Sequence, residues 1–242
     1  MKQVVEYVET LDSNTWVLFD IDMVLTQPGL AEFQYPNMQA HKNIVRQIIK
    51  GLPPEKHSLF LSLMTFPHEH ILVEEQTPAL VSLLQSKGYP VMALTANLTG
   101  AIGELPSFER YRLDILQQLG FNFTDSAPYT EAITFNEFPA YRGNYPQFIQ
   151  GALFANGDSA DKGELLAAFI KKTGLCPDRV VFIDDRKENL ADVESALREF
   201  DPAIVCKCIL YTGALHFPSR MLSEEEFKTA WQKLAEIVLQ ID

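Results

Sequence analysis

Five short apolar runs, each about a strand long and separated by stretches with helical punctuation, constrain this chain more than any other feature. They are Trp16 to Ile21, Val91 to Thr95, Phe148 to Ala155, Val180 to Asp184 and Ile204 to Tyr211. Continuous apolar character, rather than in-out alternation, suits strands covered on both faces, as in a parallel sheet under helices. The intervening helices carry start and stop signals. Thr77-Pro78 opens one that closes at Gly88, and Pro106 opens another that closes at Gly120. Asp161 with Glu164 three residues on predicts a capped helix ending near Gly174. Ser223 and Glu226 repeat that pattern before the stripe Phe227, Ala230, Trp231, Leu234, Val238. Strands alternating with helices predict an α/β fold, a three-layer Rossmann-like parallel sheet.

Two stretches interrupt the alternation. Residues 27 to 76 hold helical pieces around Met38–Ile49 and Pro54–Met64, and read as a small helical insertion. Residues 121 to 147 are rich in aromatics, Pro and Asn without a helical period, and read as an extended loop or hairpin. The expected organisation is a core of residues 1–26 and 77–242 with a cap of residues 27–76.

The 242 residues are enough for such a core plus a modest insertion, and 47% hydrophobic with 21% charged residues is a globular balance. A formal net charge of −12 argues against a nucleic-acid or anionic-membrane binder working through a positive field. Any phosphorylated substrate must then be held by a metal and a few local cations. No membrane-spanning segment and no signal-like stretch is read, so a cytoplasmic location is expected. Cys176, Cys206 and Cys208 are too few and odd in number for a disulfide framework and read as reduced thiols.

In open α/β sheets, ligands bind beyond the carboxyl ends of the strands. Asp20 and Asp22 end the first run, Thr95 the second, and Asp184 and Asp185 the fourth, while Lys162 starts the helix after the third. An apolar strand running into Asp-x-Asp brings like charges into a partly buried place, which a divalent cation resolves. Mg²⁺ favours hard oxygen ligands and typically takes one or two carboxylates plus a phosphate oxygen. Asp20 could then attack phosphorus, and Asp22 could protonate the leaving oxygen and later activate water. Lys162 and Thr95 could match the charge of the transferring group, and Asn97 could reach a phosphate or substrate.

The order FDIDMVLT, ALTAN, GDSADKGELL and VFIDDRKENL resembles the four motifs of the haloacid dehalogenase-like superfamily. The resemblance covers residues from about 15 to 100 and 150 to 212. It implies a Rossmann-like core with a cap that governs access, and a Mg²⁺-dependent phosphatase working through an aspartyl-phosphate. Under it Asp20 matches the nucleophile and Asp22 the general acid/base, which also lends its backbone carbonyl to the metal. Thr95 and Lys162 match the phosphate-positioning pair, Asp184 the acidic metal ligand, and Asp185 a second acid that binds metal through water or holds Lys162. Met23 departs from the family pattern, standing where many members have Gly. The run GALFANG with DKGE and FIDD resembles an uncharacterised bacterial branch of the superfamily.

Other features have plainer readings. His68 and His70 have metal-like spacing without a third ligand, which favours a surface role. Cys206 and Cys208 share one side of a strand and suit core packing. Asp158 reads as a turn residue. Arg110, Arg112, Arg142 and Arg186 are candidates for anionic groups of a substrate, and the aromatics from Tyr129 to Tyr145 line a pocket or pack a loop. The expected partner is a phosphorylated small molecule or a phosphoprotein, phosphotyrosine included. The alternatives are a phosphomutase or phosphotransferase of the same fold and a non-catalytic binding module. A dehalogenase is disfavoured, since those members lack the acid that Asp22 supplies.

Overall fold

The computed structural model describes residues 1–12, 14–66 and 68–241. Its main sheet has seven strands, β1 (Thr15–Phe19), β4 (Val91–Thr95), β5 (Ile133–Thr134), β6 (Gln147–Ile149), β7 (Ala152–Phe154), β8 (Arg179–Asp184) and β9 (Val205–Leu210). They lie in the order β5-β6-β7-β4-β1-β8-β9. The five strands from β7 to β9 are parallel, and β5 and β6 extend the sheet antiparallel. A mixed α/β architecture with a mostly parallel central sheet is therefore observed, as the apolar runs predict.

The two faces of the sheet divide the strand residues by parity. Val17, Phe19, Val91, Ala93, Val181 and Ile183 pack into one buried cluster with α1 (Lys2–Val8), α5 (Thr77–Ser86) and α6 (Phe108–Gln118). Trp16, Leu18, Met92, Leu94, Val180 and Phe182 pack into a second, against α7 (Lys162–Thr173) and α8 (Lys187–Phe200). Successive strand side chains point to opposite faces, so a run apolar at every position needs helices on both sides. Gly163 allows α7 and α8 to touch, for a Cβ there would lie 2.3 Å from the carbonyl oxygen of Asp192.

One strand expectation is corrected. Phe148 to Ala155 is a hairpin, with Phe148 paired to Leu153 and Ile149 to Ala152. The two turn residues, Gln150 and Gly151, both have positive φ, 50° and 77°, the geometry of a tight two-residue hairpin. The aromatic stretch before it contributes only β5 and otherwise runs as irregular chain.

The helical insertion leaves and rejoins the core through β2 (Thr26–Pro28) and β3 (His70–Leu72), which pair antiparallel. Between them lie α2 (Tyr35–Ala40), α3 (Lys42–Gly51) and α4 (His57–Leu63). These helices build a third apolar cluster with α9 (Glu224–Gln240): Phe33, Leu59, Phe60 and Leu63 meet Phe227, Trp231, Leu234 and Val238. Helix α9 thus packs on the insertion instead of flanking the sheet. Trp231 Nε1 donates to the carbonyl oxygen of Glu32 at 2.9 Å, and the backbone NH of Leu222 donates to Asn37 Oδ1 at 2.9 Å.

Candidate active site

The parallel strands run outward from β1 through β4 to β7 on one side and through β8 to β9 on the other. The chain reverses direction of addition at β1, and the crevice at such a switch point is where open α/β sheets bind ligands. Asp20 directly follows β1, its backbone NH still bonded to the carbonyl of Ile183 at 2.9 Å. Thr95 ends β4, Asp184 ends β8, and Lys162 opens α7 behind the capping box of Asp161 and Glu164. The sheet therefore brings these four sequence-distant residues to one edge.

Lys162 is the hub. Its Nζ lies 2.7 Å from Asp20 Oδ1 and 2.7 Å from Asp184 Oδ2, and its side chain is only 3% exposed. Burial works against the ammonium, but the two carboxylates outweigh it and raise the lysine pKa, so it stays charged. The ring of Phe182 adds a cation–π contact at 5.5 Å. Asp184 is fully buried and receives further bonds from the backbone NH of Arg186 at 2.8 Å and from Asn189 Nδ2 at 3.1 and 3.0 Å. Asp20 takes the backbone NH of Ile21 at 2.8 Å on the same Oδ1 that meets Lys162. Its protein partners among the described residues thus crowd one oxygen and leave Oδ2 without one.

Carboxylate oxygens of Asp20, Asp184 and Asp185 lie within 4.8 Å of one another. Burial raises the Asp20 pKa well above the usual carboxylate range, Lys162 opposes that, and the charges of Asp184, Asp185 and Asp22 add to it. Burial and then Asp184 push Asp185 up to about 7. Three carboxylates meeting one ammonium in a buried place is an arrangement a hard divalent cation would relieve, and the all-oxygen donor set fits Mg²⁺. The side chain of Asp22 stands outside this triad. Nor is Asp185 the ion-pair partner of Lys162, a place taken by Asp184.

Asp22 is instead held by a different pair. Arg112 Nη2 lies 2.6 Å from its Oδ1, and Asn97 Nδ2 donates to its Oδ2 at 2.7 Å. One N–H of the Asn97 amide is thereby engaged, and Asn97 Oδ1 is buried with no hydrogen-bond partner among the described residues. The Thr95 hydroxyl accepts from the backbone NH of Asn97 at 3.2 Å and keeps its proton for another acceptor. Met23 adopts φ 62°, the left-handed region that favours glycine, and buries its side chain at 7% exposure.

Two plain readings are corrected. Arg112 is fully buried, so its guanidinium meets Asp22 instead of a solvent-borne anion. His70 is buried at 6% exposure, not a surface residue, because β3 turns it onto α6, where Arg112 Nη1 lies 3.1 Å from Nδ1 and 2.8 Å from Nε2. His68 stacks on Phe33 at 5.4 Å between ring centres. The thiols of Cys206 and Cys208 lie 3.7 Å apart, and the three cysteines are free. Asn189 was missed, and the Asp184-to-Asn189 spacing in IDDRKENL is the signal that held it. Asn156 was missed as well: buried at φ 57°, it ties Thr99, Tyr141, Asn144 and Ser159 together behind the site.

Among known proteins, one called only "Uncharacterized protein" from Rickettsia bellii (strain RML369-C) is 24% identical over 198 residues, 81% of this chain and 67% of that protein. A second from Rickettsia felis (strain ATCC VR-1525 / URRWXCal2) is 27% identical over 135 residues, 55% of this chain and 45% of its own length. Against this and some other relatives, the chain spans about half of their length. Among solved structures, a hydrolase of the haloacid dehalogenase-like family from Streptococcus pneumoniae superposes with a TM-score of 0.39 at 13% identity, covering 81% of this chain and 95% of that one. The family profile described as "Protein of unknown function (DUF2608)" matches residues 1–240, nearly end to end, and the chain belongs to that family.

Proposed function

We propose that this chain is a Mg²⁺-dependent phosphomonoesterase that works through an aspartyl-phosphate on Asp20. The observation that carries the reading is Asp20 itself, a buried carboxylate with one oxygen fixed by Lys162 and Ile21 and the other unengaged, beside Asp184 and Asp185. The ordered motifs FDIDMVLT, ALTAN, GDSADKGELL and VFIDDRKENL support it, since their polar residues meet at one sheet edge.

In this reading Asp20 attacks phosphorus, and Lys162 and the Thr95 hydroxyl meet the charge on the transferring group. Asp22 gives a proton to the departing oxygen and later takes one from the water that attacks the phospho-enzyme. Asp20, Asp184 and Asp185, with the backbone carbonyl of Asp22, would hold Mg²⁺, which supplies charge neutralisation at the phosphoryl oxygens. Asn189 and the NH of Arg186 orient Asp184, and the helical insertion serves as the cap. The substrate is a phosphorylated metabolite or a phosphorylated protein side chain.

The test is hydrolysis of p-nitrophenyl phosphate. Activity should require Mg²⁺, disappear on chelation and return on adding the metal back, and Asp20→Asn should abolish it. Wild-type activity in Asp20→Asn sinks the reading, as does inactivity of the wild type across sugar phosphates, nucleotides and phosphopeptides. Phosphate transfer to a sugar acceptor without net hydrolysis would identify a phosphotransferase instead.

A further inference from the structure

Asp22 and the helical insertion are joined by one buried chain of side chains. Resting on the phosphatase reading, we infer that Arg112 is a positioning residue for Asp22, itself held in place by His70 on the return strand of the insertion. The guanidinium is 0% exposed. It divides its two terminal nitrogens, with Nη2 on Asp22 Oδ1 at 2.6 Å and Nη1 against the His70 ring. A planar, always-charged group tied at both ends fixes the orientation of what it binds, which a flexible ammonium does not.

The far end of the chain is fixed as well. His70 Nε2 lies 2.6 Å from the carbonyl oxygen of Thr65, which can only accept, so Nε2 carries the proton. Arg112 Nη1 lies against the ring, 2.8 Å from Nε2 and 3.1 Å from Nδ1, and of the two only Nδ1 can accept from it. Burial and then the Arg112 charge lower the His70 pKa to about 4, consistent with a neutral ring at physiological pH. Thr65 and His70 belong to the insertion, whereas Asp22 and Arg112 belong to the sheet domain. The set of the Asp22 carboxyl therefore depends on the seating of the insertion.

This arrangement matters for a defined step. When Asp20 attacks phosphorus, the bond to the ester oxygen breaks, and that oxygen keeps the bonding pair and takes a proton from Asp22. Water then attacks the phospho-aspartate, gives its proton to Asp22, and phosphate leaves with Asp20 restored. Arg112 and Asn97 each occupy one lone pair on Asp22, and each oxygen retains another for the transferred proton. The carboxyl remains 21% exposed toward solvent.

Leaving-group dependence separates positioning of the acid from a merely structural role. An alkyl phosphate needs its leaving oxygen protonated, whereas nitrophenolate departs with little help. The quantity to measure is kcat/KM for both esters, because it reports only the steps through departure of the alcohol. In Arg112→Lys and in His70→Leu, the ratio of nitrophenyl to alkyl kcat/KM should rise by at least about tenfold, a part of the roughly 10²–10⁴-fold attributed to acid catalysis. His70→Leu keeps the guanidinium and its charge, and carries the comparison if Arg112→Lys fails to fold by circular dichroism. A folded variant that loses activity equally on both esters overturns the inference and leaves the phosphatase reading standing. A wild type that hydrolyses neither ester overturns both.

Discussion

Lys162 Nζ sits 2.7 Å from Asp184 Oδ2 with neither side chain more than 3% exposed, so helix α7 and strand β8 are pinned by a buried ion pair. Removing one partner strands the other charge away from water, which costs about 3–5 kcal/mol. Lys162→Met should therefore lower stability by about that much in urea unfolding without metal, and abolish phosphate hydrolysis. Much of the lost stability should return in Lys162→Met/Asp184→Asn, because the second change removes the orphaned charge while activity stays lost. Equal instability of the single and double variants would show that the pair is not what holds α7 to β8.

Asp185, pushed up to about 7 by burial and then by Asp184, predicts a pH-dependent metal affinity. A carboxyl must lose its proton to act as a ligand, so the fraction ready to bind rises as pH climbs through 7. Mg²⁺ affinity should increase from pH 6 to 8, with proton release that fades above that range. Titration calorimetry in buffers of different ionisation enthalpy measures both, and Asp185→Asn should reduce the release, leaving what Asp20 contributes. Equal affinity at pH 6 and pH 8 would contradict this.

His70 predicts an acid-side loss of stability. Its pKa is lowered by burial, and then by Arg112, from 6.5 to about 4, so between those values the unfolded chain binds the extra proton. The contribution is fully present above about 6.5, shrinks as pH falls, and is gone below about 4. Its size is on the order of 3 kcal/mol, from roughly two and a half pKa units. Urea unfolding of wild type and His70→Asn at several pH values isolates it, since Asp20 and Asp185 act equally in both. The difference between the two proteins should shrink as pH falls from 7 to 4, and a constant difference would rule it out.

Trp231 is fully buried where α9 meets the insertion, 5.5 Å from the Phe60 ring and 5.2 Å from that of Phe227. Trp231→Ala should cost about 3–5 kcal/mol through the cavity it opens. The effect should fall first on the insertion, because the third apolar cluster is separate from the two that flank the sheet. Limited proteolysis should then cut within residues 31–64 well before the core. Cleavage beginning in β1 or β8 would show that α9 stabilises the sheet domain instead.

Much of the sheet was legible because its determinants are local. Apolar runs locate β1, β4 and β8, and the capping boxes of Asp161 and Ser223 locate α7 and α9. Asp20, Thr95, Lys162 and Asp184 were readable for the same reason, since a polar residue at the end of a buried strand, or the first residue of a capped helix, announces itself. The hairpin at Gln150-Gly151 was harder to read because its break is only two residues long, with apolar residues directly on either side.

What the chain by itself determined, then, is the set of strand-end acids and the elements that carry them, each fixed by hydrophobic period and capping within a few residues. Only the tertiary structure decided how those acids are divided. Asp20 and Asp184 share Lys162, whereas Asp22 is given to Arg112, ninety positions along the chain. It also decided that α9 packs on the insertion and that His70 is buried behind Arg112. Such pairings join residues far apart in sequence, and they form because a buried charge must find its partner wherever the packed fold brings one within reach.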